Sequence, residues 1–500
     1  MKTNKRTGIL VTSATLLLIL GGCSKILDKK PVTQVITPDA TSASISATDA
    51  ENLVSGLYTS YRGYDFMTWS IFDKIINGDA ISDNCYAGGD NSANITLDNF
   101  TFNSLNSNLD RDWSQAYQMI GRINIALPQI EACTDPALSA TRKNQMVGEA
   151  RFLRAFNYFD LTRLFGKLPI VLAPPDLANA ETLLNSTLVP RSSVDSVYLA
   201  ILDDLWFAKN NVMDVSAAAS KLIITKGTVN ATLAKIYATK PNPNWDSVKY
   251  YSDQVIPNYS LLPQFSELWD NAHKNNSEAI WELTYGDGYS SPDGIGDWIP
   301  SIHVGGSIGN YEGGGWKKFN LPTNDLINLW QSEGDNIRLN NSVTFLDITG
   351  QFSDPNWPSN HYPFLTKFND PANGLNDFYV LRLPDIMLLK AEALVKANDL
   401  NGALAIVNEI RARVSLGPKS GGSADEVDKI IADERRMELA FEGHRWFDLV
   451  RTGKAIEVMN AEKGGSGNNL NYNVQPFRLI MPVPQNQIDL NPRLDQNPGY

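Results

Sequence analysis

Apolar residues recur along this chain mostly at helical spacing. Leu53, Leu57 and Tyr61 repeat every four residues behind a capping candidate, Asp49. Trp113, Tyr117, Ile120 and Leu127 keep one face through residues 110–130. From 142 to 166, Met146, Ala150, Leu153, Phe156 and Leu164 form a wide stripe. Gly166 and Pro169 close it, because glycine accepts the left-handed cap and proline cannot continue a helix. The same reading predicts helices over Ser193–Lys209, Thr225–Thr239, Asp246–Val255, Pro384–Ala397, Leu400–Val414, Asp425–Glu442 and Arg445–Arg451. Ala391, Leu394, Ala403 and Val407 are small or branched residues at packing positions of one helix pair, with 398–402 as its turn. Adjacent pairs of this kind suggest a tetratricopeptide-like stack without a strict period. The expected fold is mainly α, with an irregular, loop-rich region carrying short β elements.

Three stretches break the helical pattern. At the N-terminus, basic Lys2, Lys5 and Arg6 precede the apolar run 9–20 and then Leu20-Gly21-Gly22-Cys23. The run is shorter than the ~20 residues that span a bilayer, so residues 1–22 are expected to be a secretory signal. Small residues before a cysteine resemble the bacterial lipobox, in which the cysteine is lipidated, and Cys23 is the expected anchor. An ordinary signal peptide is the alternative. Residues 24–48 are Ser/Thr-rich and aperiodic, which fits a tether. Residues 284–318 are crowded with glycines and aromatics and have no helical period, and loops of this length are often functional. Trp281, inside SEAIWEL, fits a strand core instead.

Bulk composition then narrows the function classes. The 500 residues are 43% hydrophobic and 20% charged, which is globular, and the net charge is −12. So acidic a surface, without a basic stripe, disfavours nucleic acid. Besides Cys23 there are Cys85 and Cys133, which read as two ordinary buried thiols. The four histidines lack zinc-ligand spacing, and no phosphate loop or dinucleotide fingerprint occurs. Gly305-Gly306-Ser307-Ile308-Gly309 fits G-x-S-x-G formally, but no helix start follows it, as a nucleophile elbow requires. Asp287, Asp293 and Asp297 lack calcium-loop spacing and read as turn residues. Carboxylate pairs for glycoside hydrolysis leave no sequence signature, so that chemistry stays open. No cofactor or metal is expected.

Two features remain. Tyr285, Tyr289, Trp298, Tyr311 and Trp316 lie in a segment too polar to bury them all. Rigid exposed rings beside Asn and Asp suit a sugar, whose C–H faces stack on them. The stretch ADERRMELAFEGHRWFDLVRTGK, 432–454, looks like an active site. Yet Met437, Phe441 and Phe447 form one apolar line and Leu439, Trp446 and Val450 another, covering most of the circumference of a helix. Charges between such lines must be paired, and Arg435–Glu438 and Glu442–Arg445 have the spacing for it. The expected role is structural.

Five segments, CSKILDKKP, GEARFLRAFNYFDLTRLFGKLPIV, FYVLRLPDIMLLKAEAL, ERRMELAFEGHRWFDLVR and MPVPQNQIDLNPRLDQNPGY, together resemble the SusD/RagB family of outer-membrane nutrient-binding lipoproteins. The resemblance implies about four tetratricopeptide-like pairs forming a superhelix, and binding without catalysis. It also implies a lid over a SusC-like TonB-dependent transporter that captures an oligosaccharide and delivers it. The implied layout has a signal at 1–22, a lipidated N-terminus and tether at 23–48, and one domain at 49–500. Helical pairs would lie mainly over 49–260 and 379–455, and the ligand region over 77–105 and 284–375. By region, the resemblance implies ligand contacts at Asn84 and Tyr86, and at Tyr289, Trp298, Tyr311 and Trp316 in the glycine-rich loop. Only one Asp stands among three Lys just after Cys23, so an outward-facing location at the outer membrane rests on the family. A peptide-binding member, or a surface glycoside hydrolase, is the alternative.

Overall fold

Most of the longer described helices begin where a short polar side chain satisfies their first free N–H groups. A computed structural model describes residues 44–63, 66, 68–88, 91–286, 319–347, 356–368 and 375–500. The helices and strands belong to the compact unit Ile45–Tyr500. Its first helix, Ala47–Arg62, is capped by Ser46, not by Asp49. Asp49 completes a capping box instead: its N–H donates to Ser46 Oγ and its carboxylate accepts from Ser46 N–H. Ser139 caps Ala140–Phe165, which ends at Gly166 with φ +72°. Nearly every side chain of that helix from Met146 onward is buried, so it runs through the interior.

Successive helices stack. Ser107–Ala132 packs on Ala140–Phe165, which packs on Val194–Asn211, then Lys226–Thr239 and Trp245–Val255. Leu383–Lys396 continues from Trp245–Val255 and pairs with Leu400–Arg413, and both touch Ala424–Glu438. Ala391, Ala403 and Val407 are fully buried at the contact. Asn398, at φ +61°, makes the turn, and Asp399 caps the second helix. The stacked pairs agree with the predicted mainly α architecture.

Two expectations need correction. The helix predicted to run to Glu442 stops at Glu438, because Phe441 (φ +68°) and Gly443 (φ +78°) take left-handed conformations. The regions read as irregular hold short helices at Ser92–Asp98, Asn324–Glu333 and Asn336–Ser342. Their caps Asn91, Thr323 and Asp335 look like loop residues in sequence.

The described strands form four antiparallel pairs. Cys85–Tyr86 pairs with Leu321–Pro322, and Leu168–Pro169 with Arg191–Ser192. Ala279–Leu283 pairs with Phe378–Arg382, and Val343–Asp347 with His361–Leu365. Trp281 is wholly buried, as its strand context suggested. Cys85 and Cys133 are buried and unpaired.

Candidate functional site

The signature stretch becomes an ion network within the fold. Arg382 lies at the end of its strand and is almost wholly buried. It forks onto Glu442, with Nε to Oε2 and Nη2 to Oε1 both 2.6 Å, and reaches Glu438 Oε1 at 2.6 Å and Glu278 Oε1 at 3.1 Å. Arg413 joins Glu278 and Glu438, while Arg338 faces Asp335, Glu434 and Glu438. Lys367 Nζ donates to Glu442 at 2.7 Å and to the Ala440 carbonyl at 2.7 Å. Burial alone would raise the Glu438 carboxyl, but Arg413, Arg338 and Arg382 together hold it well below the usual range. The expected Arg435–Glu438 and Glu442–Arg445 pairs do not form. Arg435 instead bonds Asp385 and Asp448, and Arg445 forks onto Asp83. The helix break after Glu438 turns Glu442 and Arg445 toward different neighbours. Burial, then the Lys235 charge, lowers His444 to about 3, so its ring is neutral and is no acid at physiological pH. These groups satisfy one another, and the structural reading of the stretch stands with different partners.

The two regions implied for ligand contact meet at the roots of the glycine-rich loop. On the return side, Leu321–Pro322 pairs with Cys85–Tyr86, and Thr323 N–H donates to the Asn84 carbonyl at 3.0 Å. Asn84 and Tyr86 are each 1% exposed. Arg436 Nε donates to Asn84 Oδ1 at 2.9 Å, and the Tyr86 and Tyr362 hydroxyls are 2.5 Å apart. Their polar atoms therefore tie the loop root to the signature helix and to the strand His361–Leu365. On the departing side, Tyr285 is buried and its hydroxyl donates to the Arg62 carbonyl at 3.0 Å. Its N–H donates to Asp377 Oδ1 at 2.7 Å, and Lys274 Nζ donates to both the Tyr285 carbonyl and Asp377. Tyr289, Trp298, Tyr311 and Trp316 lie outside the described residues, as do Cys23, Ser307, Asp287, Asp293 and Asp297.

Titratable groups gather at these roots. Burial, then the Asp377 charge, raises Glu282 to about 8, and burial raises Asp377 as well. Asp83 goes the other way, to about 2, because Arg436 and Arg445 more than offset its burial. Sequence reading missed Glu282 and Asp377. The one signal was an acid inside the apolar run AIWEL. Among the described residues, no cluster of three or more His, Cys, Asp or Glu suits a metal ion.

Comparison with known proteins places this architecture. The model of the SusD family matches residues 347–500, and a model described as "Starch-binding associating with outer membrane" matches residues 27–238. SusD-like protein P2 of Formosa agariphila is 27% identical, covering 98% of this chain and 99% of its own. A SusD-like protein of Bacteroides ovatus is 24% identical, covering 70% of this chain and 67% of its own. Among solved structures, a SusD superfamily protein of Bacteroides vulgatus aligns with TM-score 0.74 at 21% identity, over 91% of this chain and 99% of that one. A "Laminarin binding SusD-like protein" aligns with TM-score 0.71 at 25% identity, over 91% of this chain and all of that one. With two family models flanking the glycine-rich loop and a relative matched almost end to end, the chain belongs to the SusD/RagB family.

Proposed function

We propose that this protein is a cell-surface lipoprotein, anchored through Cys23, that captures an oligosaccharide and delivers it, as a lid, to a SusC-like TonB-dependent transporter. One observation carries the reading: the chain aligns along its length with a SusD-like protein that binds laminarin. The family description, starch binding at the outer membrane, points the same way. Tyr289, Trp298, Tyr311 and Trp316 are the proposed stacking residues, and Asn84 and Tyr86 enter the site as buried supports of the loop's return strand. Capture needs no chemistry. A sugar that binds the closed lid more tightly than the open one shifts the equilibrium toward closure by that difference in affinity.

Calorimetry of residues 24–500 against a panel of glycans and peptides tests this. A glycan should bind saturably without release of reducing ends. Trp298→Ala with Trp316→Ala should weaken binding at least tenfold, about 1.4 kcal/mol, at an unchanged melting temperature. Undiminished affinity removes the loop from the site. Turnover of the glycan replaces the lid with a hydrolase, and binding of peptides alone replaces the sugar.

A further inference from the structure

The outer surface of three stacked helices carries an aromatic group that the family reading does not use. On Val194–Asn211, Trp206 is 45% exposed, and on Trp245–Val255, Tyr250 is 53% exposed. The half-buried Tyr251 lies between them. It stacks on Tyr237 of Lys226–Thr239 at 5.7 Å and 11°, and meets Tyr250 edge-on at 5.1 Å. Its hydroxyl lies beside the Trp206 indole. The rings of Tyr237, Tyr250 and Tyr251 therefore hold one another in place, with the Trp206 indole against the Tyr251 hydroxyl at the edge of the group.

Two lysines stand among these rings. Lys209 Nζ stands 4.9 Å from the Tyr251 ring centre and 5.5 Å from that of Tyr250, and Lys240 Nζ stands 5.9 Å from Tyr237. Neither ammonium has a carboxylate partner among the described residues, although the chain carries a net charge of −12. Protein–protein interface cores favour aromatics but are depleted in lysine and aspartate. Here Lys209 and Lys240 interleave with the rings and exposed Asp203 lies one turn before Trp206, so the composition is that of a solvated sugar site.

We infer that Trp206, Tyr250 and Tyr251, flanked by Lys209 and Lys240, form a second saccharide-binding surface, outside the loop site, that takes an anionic sugar chain. Trp206 supplies the stacking face for a pyranose ring. The two ammonium groups, which pair with no carboxylate among the described residues, meet a uronate or sulfate on neighbouring units. The surface lies on helices, apart in sequence from the glycine-rich loop, so it stands or falls independently of that loop.

The test uses the full chain carrying Trp298→Ala and Trp316→Ala, so that loop binding does not contribute. Three probes are titrated by calorimetry: oligogalacturonate, a sulfated galactan oligosaccharide and a neutral laminarin oligosaccharide. At least one acidic probe should bind, the two acidic probes showing whether uronate or sulfate is preferred. Trp206→Ala should lower that affinity about tenfold while Trp206→Phe retains most of it. Lys209→Gln with Lys240→Gln should abolish the preference for acidic over neutral probes. Tyr250→Ala, at an exposed position, gives a second loss that does not depend on the Trp206 variants. The inference is overturned if no probe binds, if the neutral probe binds as tightly as the acidic ones, or if Trp206→Ala binds unchanged. A Trp206-dependent dimer in sedimentation also overturns it, by making the surface a contact between copies.

Discussion

Arg382 and Glu438 each face several partners of opposite charge at zero to one per cent side-chain exposure. Removing one member leaves the rest uncompensated in a medium that solvates charge poorly. Arg382→Met should therefore destabilise the fold by about 3–5 kcal/mol. Urea unfolding would show this, and Asp433→Ala, at the exposed pair with Lys429, should change stability by less than about 1 kcal/mol. Equal effects would sink the assignment. Glu282 gives a pH signature. Its folded pKa of about 8 exceeds the unfolded carboxyl value, so the folded state holds the extra proton. The stability this contributes is complete below about pH 4.5 and is lost as the pH rises through 8. Glu282→Gln keeps the neutral form and should flatten the decline in urea midpoint between pH 5 and pH 8. Parallel pH profiles for both proteins would refute the raised Glu282 carboxyl.

Between the helices Ala424–Glu438 and Arg445–Arg451, one backbone reversal decides where the signature's charges go. Gly443 sits at φ +78°, and a Cβ there would lie 2.8 Å from the Lys74 carbonyl oxygen. Both the conformation and the close approach require glycine. Gly443→Ala should cost about 1–3 kcal/mol and broaden the amide spectrum around Asp79, which accepts the Gly443 N–H at 2.6 Å. A melting temperature equal to wild type would show that the reversal tolerates a side chain. The same element marks where sequence reading stopped. The predicted helix runs on to Glu442, because apolar periodicity does not reveal that Phe441 is left-handed. The short helices at Ser92–Asp98 and Asn324–Glu333 escaped for the opposite reason: with about two and about three turns, they offer few positions for a period to show.

At the scale of the whole molecule, the superhelix brings together segments far apart in sequence. Arg436 reaches Asn84 and Asp325, and Tyr86 reaches Tyr362, so the return root of the loop rests on the signature helix and on the strand His361–Leu365. The proposed lid, if it moves as a body, needs such bracing, because a soft support would dissipate the difference in affinity between open and closed states. The proposed anchor is also a whole-molecule property. Cys23→Ala should move the protein from the membrane fraction to the soluble fraction after cell breakage, since acyl chains hold a protein at the bilayer by about 0.8 kcal/mol per buried methylene. Retention of the variant in the membrane would exclude lipid anchoring at this position.

The sequence by itself determined the helical class, most helix starts and the family. Caps and apolar stripes are local, and five separated motifs in order are hard to reach by chance. It also determined that the charged stretch at 432–454 is packed between apolar lines and must be paired. Which charge pairs with which was decided by the tertiary structure. Ion pairing in a buried network depends on distances between Arg382, Arg413, Arg338 and Glu438, set by helix stacking and not by spacing along the chain. The junction of residues 84–86 with 321–322 was likewise decided by a strand pairing across more than two hundred residues, which no local pattern encodes.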